Sequence, residues 1–418
     1  MLRRHHPVLI AALLAGLWHH PLRAQDARFG VTVPLTIAGQ LLRTERAQAI
    51  ESDARVWRPA FRLTAYPSLK LGDHWYFYSA LQWSEEPYSF YEAYYPEAEF
   101  ESRLVQAFLG YQRSGERQAF SFKVGQLTSA FGAIPLRYDE AANPLLDQPL
   151  GYGSLLNIRP DALPCGVKDL PNLRVYTEYV GVHFYCGGPE TMTYGMPVVD
   201  LYGLPGAEAN LSFRNFDARF QLTNSSPANP QSLASASQHV QWTAGGGWTL
   251  WQGFRIGVSA MRGPFMEDTV RERLPVGKTV RDYPASALGA DLEWARGRWS
   301  ASSEWYRARF PYPRLIVPPT VNSVYGEVKV ILTPRLFAAW RSSWQLYNRV
   351  EDNKGRSPLP FQPNIHSYEF AIGYRPNRWQ ILKVGYEWLH GGGVSGSRDN
   401  VLGIQFVTSL DSISKAIR

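Results

Sequence analysis

The sequence is poor in cysteine and in charge, and it has no long apolar run beyond its N-terminus. Two cysteines in 418 residues cannot supply the four ligands of a usual zinc cluster. Charged residues make up 19% of the chain, below the roughly 25% of average soluble proteins. After residue 24 no run of about 18 apolar residues occurs, so we expect no transmembrane helix. The net charge of +7 comes without a dense Lys/Arg cluster, so it does not indicate a nucleic-acid partner.

The length and composition exclude disorder and a disulfide-rich miniprotein, because a chain of this length with 45% hydrophobic residues can bury a core.

Residues 1–24 have the features of a secretory signal peptide. Arg3 and Arg4 form its positive start, an apolar stretch runs from Pro7 to Trp18, and cleavage is expected ahead of Gln25. The alternative is an interfacial anchor. Export would make a disulfide chemically possible.

From Gly30 onward, segments of about ten residues alternate between apolar and polar side chains and are separated by turns. Leu382 and Val384 alternate with Lys383, for example. On a strand this period of two places apolar and polar side chains on opposite faces. The pattern predicts sixteen strands, at approximately 30–43, 56–71, 75–84, 103–113, 119–130, 207–213, 216–224, 238–249, 254–262, 285–295, 298–309, 321–332, 335–346, 366–375, 378–389 and 400–410.

The connections between these strands alternate between short and long, which is typical of outer-membrane barrels with short periplasmic turns and long outer loops. The fold class predicted for residues 25–418 is therefore all-β, a closed antiparallel transmembrane β-barrel of about 16 strands with a long third extracellular loop. A soluble sandwich would also alternate, but its outward face would be polar. Pro34, Pro59 and Pro67 count against the first hairpin, because each removes a ladder donor.

Aromatic residues near the predicted strand ends favour girdles at the two membrane interfaces, although each could instead be an ordinary core aromatic. The predicted girdle residues are Trp75, Tyr76, Trp248, Trp299, Trp305, Trp379 and Trp388.

The third long loop, 131–206, is the candidate site. Lumens of 16–18 strands are aqueous channels, so a loop of this length folded inward would narrow the pore. Cys165 and Cys186 both lie in it, and a bridge between them would contribute on the order of 3 kcal/mol; two free thiols are the alternative. The residues predicted for the constriction are Arg137, Asp139, Glu140, Asp147, Arg159, Asp161 and Lys168.

The segment Lys123–Ala133, KVGQLTSAFGA, resembles the Gly-Gln…Phe-Gly segment that precedes the inward loop of phosphate-selective porins. The plan of signal, sixteen strands and long third loop is similar to Gram-negative porins in general. The resemblance implies a bacterial outer-membrane location, a homotrimer, passive diffusion and a constriction formed by the third loop. One departure is the C-terminus, where porins usually end on an aromatic residue, whereas the last aromatic here is Phe406. The phosphate substrate is not carried over, because no basic ladder aligns.

Strand parity indicates which charges face the lumen. Eleven basic and seven acidic residues fall on the predicted inner faces, and rings of bases favour anions, so we predict a weak anion preference; the alternative is that these charges balance. The predicted pore-lining residues are Arg58, Arg62, Lys70, Lys123, Arg219, Arg255, Asp291, Glu293, Arg298, Glu304, Arg341, Lys383 and Glu387, and the further inner-face charges are Asp217, Glu327, Lys329, Glu369 and Arg375.

The predicted function is a porin, with a water-filled channel for passive diffusion of small polar solutes, no catalytic residues, no cofactor and no metal. The expected partners are the lipid bilayer, lipopolysaccharide, and small polar or anionic solutes. Two alternatives are an outer-membrane lipid hydrolase and a structural or adhesive barrel plugged by its long loop. The string His390–Gly393 with Ser395 copies an esterase oxyanion motif, but no Gly-x-Ser-x-Gly accompanies it, so a glycine-rich outer loop is the better interpretation.

Overall fold

A computed structural model describes residues 29–49, 51–85, 100–135, 139–172, 196–199, 203–224, 239–355, 357–391 and 400–411. The predicted signal peptide, Arg137 and Cys186 lie outside these residues.

The described chain is almost entirely β-structure. Its strands are β1 (Phe29–Thr32), β2 (Leu35–Thr44), β3 (Trp57–Ala65), β4 (Ser68–Leu71), β5 (Trp75–Glu85), β6 (Phe100–Ser114), β7 (Gln118–Leu127), β8 (Leu204–Phe213), β9 (Phe216–Thr223), β10 (Gln241–Trp251), β11 (Phe254–Pro264), β12 (Pro284–Arg296), β13 (Trp299–Arg309), β14 (Leu315–Val317), β15 (Thr320–Thr333), β16 (Leu336–Tyr347), β17 (Arg349–Asp352), β18 (Leu359–Pro360), β19 (Ile365–Asn377), β20 (Gln380–Gly391) and β21 (Val401–Leu410).

Two prolines interrupt the first hairpin. Pro34 separates β1 from β2, and Pro67 separates β3 from β4, so each pair crosses the barrel wall as one broken strand. Proline lacks the N–H that a ladder needs, yet the carbonyls of Pro34 and Pro67 still accept hydrogen bonds, from the Tyr66 and Ser79 amides. Pro59 lies inside β3, ahead of the stretch that pairs with β5.

Sixteen antiparallel strands close into a barrel. Successive strands pair with their neighbours, and β2 pairs with β21 from Leu35↔Leu410 to Thr44↔Val401, which joins the first strand to the last. The predicted closed antiparallel barrel of about 16 strands is confirmed. Strands β14, β17 and β18 form a small separate sheet within the long connections.

The connections alternate in length as predicted. The short turns are 72–74, 115–117, 214–215, 252–253, 297–298, 334–335 and 378–379, and the long connections are 45–56, 86–99, 128–203, 224–240, 265–283, 310–319, 348–364 and 392–400. The described helical turns lie in long connections: Leu150–Gly153 is α-helical, and Arg46–Ala49, Val167–Asn172, Asp268–Arg273 and Val280–Asp282 are 3-10 helices. Among the described residues, no helix is both long and apolar enough to cross a membrane.

The wall is apolar outside and polar inside. On β20, Leu382 and Val384 are about two-fifths exposed, whereas Lys383 between them is fully buried. On β11, Val258 is 61% exposed and Ser259 is buried. A soluble protein buries its apolar face, so this inverted arrangement fits a wall that faces lipid.

Two features differ from the expectation. Strand β7 ends at Leu127 and β8 begins at Leu204, so the long connection is 128–203 and not 131–206. Tyr76 does not face outward as a girdle residue would: it pairs with Gly110, and a Cβ at Gly110 would stand 2.4 Å from the Tyr76 ring. Gly110 in turn pairs with Lys123, which places Tyr76 on the inner face. The tryptophans Trp75, Trp248, Trp299, Trp305 and Trp388 are exposed on the outer face.

Candidate functional site: the lumen and its inward segment

The described start of the third connection folds into the barrel. We call residues 128–135 and 139–172 the inward segment. Arg219 on β9 donates hydrogen bonds to the carbonyls of Ala130, at 2.7 Å, and Gly132, at 2.9 Å. On β13, the Glu304 carboxylate accepts from the Ala133 amide at 3.1 Å and from the Tyr152 hydroxyl at 2.6 Å. The first half of the segment is thus tied to inner-face side chains.

Lys383 holds the middle of the inward segment. Its side chain is fully buried, and its ammonium donates to the carbonyls of Glu140 and Asn143, both at 3.1 Å, and Leu145, at 2.8 Å. The amide of the next residue, Leu146, donates to Glu369 on β19 at 2.8 Å. Three carbonyls on one ammonium use all three of its donors, so this lysine acts as a structural anchor.

Arg341 on β16 links the wall to the inward segment and also contacts two acidic side chains of the wall. It donates to the Asp147 carbonyl at 2.6 Å, pairs with Glu369, and lies 3.3 Å from Glu327. Across the β2–β21 pairing that closes the barrel, Arg62 of β3 pairs with Glu140 at 2.8 Å, and both side chains are buried. Contacts to β3, β9, β13, β16, β19 and β20 from one segment place it inside the barrel.

Four further ion pairs involve the wall. Arg255 bridges Asp217 and Asp291, each at 2.8 Å, and Lys123 pairs with Glu208 at 2.8 Å. The Arg46 side chain, from the first long connection, reaches Glu387 on β20 at 2.8 Å and is almost fully buried.

Arg46 and Glu208 were not among the predicted pore residues. Glu208 lies directly opposite Lys123 across the β7–β8 ladder, so the register of these two strands would have identified it. Arg46 lies in a connection between strands, where the period-two pattern carries no information.

The other predicted residues fall in three environments. Arg58 is buried in β3, and Glu293 lines the two cavities described below. Lys70 is exposed. Arg298 is exposed in the short turn 297–298, at the rim of the barrel and off its wall. Lys168 is also exposed.

Arg159 and Asp161 belong to the mouth of the barrel. They form a buried two-point ion pair at 2.9 and 2.7 Å, and the Tyr312 hydroxyl donates to the Arg159 carbonyl at 2.9 Å. Around them an apolar cluster joins the inward segment to the outer connections, with Leu156 and Ile158 packed among Phe265, Phe310 and others. Cys165 lies in this part of the segment, and its predicted bridge to Cys186 stays a prediction.

Two cavities lie in the lumen, and the first of them borders the inward segment. The first, of about 170 Å³, is bounded by Asp139, Asp291, Glu293, Glu327 and Arg341, among others. The second, of about 410 Å³, lies toward the short turns, between Arg255, Glu293, Ser302 and Glu327. Burial raises the pKa of Asp139 above its ordinary value, against the lowering effect of the Ala141 amide that it accepts from.

Each described histidine contacts a group other than a serine, so no serine–histidine pair is formed there. His239 contacts Asp268 at 3.0 Å and accepts from Arg281 at 3.3 Å, His74 contacts the Gln112 carbonyl at 3.1 Å, and His366 stacks on His390. His390 and Gly391 end β20. Within the described residues, no group of three or more His, Cys, Asp or Glu side chains is placed to hold a metal ion.

No protein-family model and no curated protein matches the chain. Solved structures do match its fold. A loop-deletion form of OmpT, an outer membrane protein of Vibrio cholerae, is 10% identical with a TM-score of 0.51 over 92% of this chain and 100% of its own. The outer membrane channel DcaP of Acinetobacter baumannii is 9% identical, with a TM-score of 0.51 over 91% and 97%. Pseudomonas putida OprB is 11% identical, with a TM-score of 0.51 over 91% and 94%.

The protein is a β-barrel of the bacterial outer membrane. The inverted wall and the fold that the chain shares with these outer-membrane barrels agree on the location.

Proposed function

We propose that the protein is a diffusion channel for small polar solutes across the outer membrane. The observation that carries this proposal is the inner wall, where buried or half-buried charges follow one another from β3 to β20. The interior of a channel-forming barrel is polar because it holds water, so charged side chains are expected along it. A wall that borders a water column explains them.

The inward segment is the proposed constriction. Next to it, Asp139, Glu327 and Asp291 share a cavity with Arg341, so acids and a base face the same small volume. Opposed charges at a narrow point create a transverse field that orders polar solutes.

The proposed selectivity is a weak anion preference. The predicted inner-face charges favour bases by eleven to seven. The ion pairs add one base, Arg46, and one acid, Glu208, the inward segment adds the acids Asp139, Glu140 and Asp147, and Arg298 lies off the wall. The excess then disappears, so only a slight preference is expected.

The experiment is single-channel recording of the refolded protein in planar bilayers, with a salt gradient to obtain the reversal potential. Steady open steps with a reversal potential slightly on the anion side are expected. A strong cation preference would contradict the lumen assignment.

A plugged structural barrel is the second candidate, because the apolar cluster with Phe265, Phe310 and Phe361 occupies part of the mouth. Silence in the same recording, from protein whose barrel is folded, would favour the plug. For the lipid hydrolase, no described histidine has a serine within hydrogen-bond reach; lipase activity in the purified barrel would favour it.

The remaining proposals concern processing and assembly. We propose that residues 1–24 are removed on export, that Cys165 and Cys186 form a disulfide, and that the chain assembles as a homotrimer. One OmpT structure is described as a trimer form, which supports the last proposal. Mass spectrometry of the mature protein, with and without reductant, tests the first two, and its native mass tests the third.

Lipopolysaccharide is the proposed outer-leaflet partner. Three arginines, Arg262, Arg307 and Arg309, are exposed on the outer face at the long-loop end of β11 and β13. Arg262 and Arg309 flank Ser286 in one row of the sheet. None of the three forms an ion pair within the described chain, so phosphate groups of the outer leaflet would be suitable counterions.

A further inference from the structure

A second group of bases lies on the inner wall near the short turns. Phe337, the second residue of β16, is almost fully buried. The Lys329 ammonium lies 4.8 Å from the centre of its ring, and the Arg375 guanidinium carbon lies 5.8 Å from it. Gly373 makes room for this ring, because a Cβ there would stand 2.0 Å from it. Gly373 pairs with Lys383, which fixes the group on the inner face.

These two cations lack the carboxylate partners that other lumenal bases have. Arg62, Lys123 and Arg255 each pair with an acid. In the described part of the chain, neither Lys329 nor Arg375 forms an ion pair. Arg375 makes one long hydrogen bond, of 3.5 Å, to the Ala141 carbonyl of the inward segment.

Glu327, an acid on the same face, is hydrogen-bonded to another base. Glu327 precedes Lys329 by two residues but lies 3.3 Å from Arg341, to which it is hydrogen-bonded. Because both cations contact the ring of Phe337, the Lys329 ammonium and the Arg375 guanidinium carbon are at most about 10.6 Å apart. Like charges at this separation repel each other, and an anion between them removes that repulsion. The aromatic face keeps the cations in place.

We propose that Lys329, Arg375 and Phe337 form a lumenal binding site for a small divalent oxyanion. The proposal rests on the diffusion function above, since the anion reaches the site through the lumen. Its place is between the inward segment, which Arg375 contacts at Ala141, and the short-turn end of the barrel. An anion that has passed the constriction would meet these two charges before it leaves.

Inorganic sulfate is a suitable probe, because it remains divalent over the working pH range. We expect sulfate, added to the short-turn side, to reduce the chloride current in planar bilayers. The concentration for half-block should rise about tenfold or more in the K329Q/R375Q double variant, because each charge-assisted contact is lost. Phe337→Leu keeps most of the apolar volume but removes the ring, so its half-blocking concentration should rise by a smaller factor.

Arg298→Gln is the matched control, because it removes one positive charge from the same end of the barrel at an exposed turn residue. It should leave the half-blocking concentration within about twofold of wild type. Equal block in wild type and in the folded double variant would overturn the site while leaving the channel intact.

A binding measurement separates the site from the pore. Calorimetric titration of sulfate into the folded barrel in detergent should show binding by wild type and its loss in the double variant, even if the bilayer recordings are silent. Silence with binding would overturn the diffusion function and keep the site. No binding to wild type would overturn the site.

Discussion

At the residue scale, Lys383 is the strongest single link between the wall and the inward segment. Its ammonium serves three carbonyls that have turned away from water. Lys383→Met leaves those acceptors without their donor, at a cost of about 3 kcal/mol in the free energy of unfolding. Urea titration followed by tryptophan fluorescence measures this change.

Lys70→Met is the control for that variant, because Lys70 is an exposed lysine on the same inner face. Its free energy of unfolding should change by less than about 0.5 kcal/mol. An equal loss in both variants would mean that removal of charge, and not release of the segment, determines the effect.

We expect Asp139 to contribute to the response of the constriction to acid. Because burial raises its pKa, Asp139 gains a proton on acidification at a higher pH than an ordinary carboxyl does. The lumen then loses a negative charge, so anion permeability relative to cations should rise as the pH falls toward that raised pKa. Asp139→Asn should have the higher ratio already at pH 7 and show a smaller rise on acidification. Reversal potentials between pH 7 and 4 test it.

Asp282, in an outer connection, provides the comparison. The Thr279 amide and Lys278 lower its pKa, so it stays ionised over most of that range. Asp282→Asn should keep the wild-type pH dependence. If D139N also keeps it, Asp139 does not carry the response.

At the scale of the element, the inward segment depends on one backbone conformation. Gly132 has φ +76°, and a Cβ there would stand 2.1 Å from the Tyr152 hydroxyl and 2.4 Å from a Glu304 oxygen. Gly132→Ala therefore adds both strain and a clash at the point where the segment is tied to β13. We expect a loss of about 1–3 kcal/mol in the free energy of unfolding and noisier open steps.

Gly326→Ala is its matched control. Gly326 lies on β15, and nothing stands within 4 Å of the position that its Cβ would take. Wild-type stability and quiet steps are expected of this variant. If G132A behaves in the same way, the turn at Gly132 does not hold the segment.

At the scale of the whole molecule, the inverted wall is testable by placing the same charge on its two sides. Val258 faces outward near the middle of β11, whereas Ser302 on β13 borders both cavities. Val258→Arg should lower the free energy of unfolding in lipid by about 2–4 kcal/mol. Ser302→Arg should change stability much less and reduce conductance. The opposite ranking in urea titrations from lipid vesicles would refute the orientation of the wall.

The barrel was predictable from the sequence, because alternation such as Leu382–Lys383–Val384 is local and its meaning does not depend on partners. The site was less so. Parity assigns a side chain to a face, but it does not say that Lys123 meets Glu208. Tyr76 was misplaced although parity excludes it from the girdle beside Trp75, because consecutive strand residues point to opposite faces; the register with Gly110 and Lys123 places Tyr76 on the inner one. The pairing of Arg46 with Glu387, 341 positions apart, has no local signal.

The seam between β2 and β21 also sets an order of events in biogenesis. The barrel closes only when its last strand pairs with its first. By then the inward segment must already lie inside it. Lys383 on β20 and Gln405 on β21, the last two strands, donate hydrogen bonds to the inward segment. The hydrogen bonds that these two residues donate to the inward segment therefore form only with the last two strands in place, and a variant that leaves β2 and β21 unpaired should lose them as well.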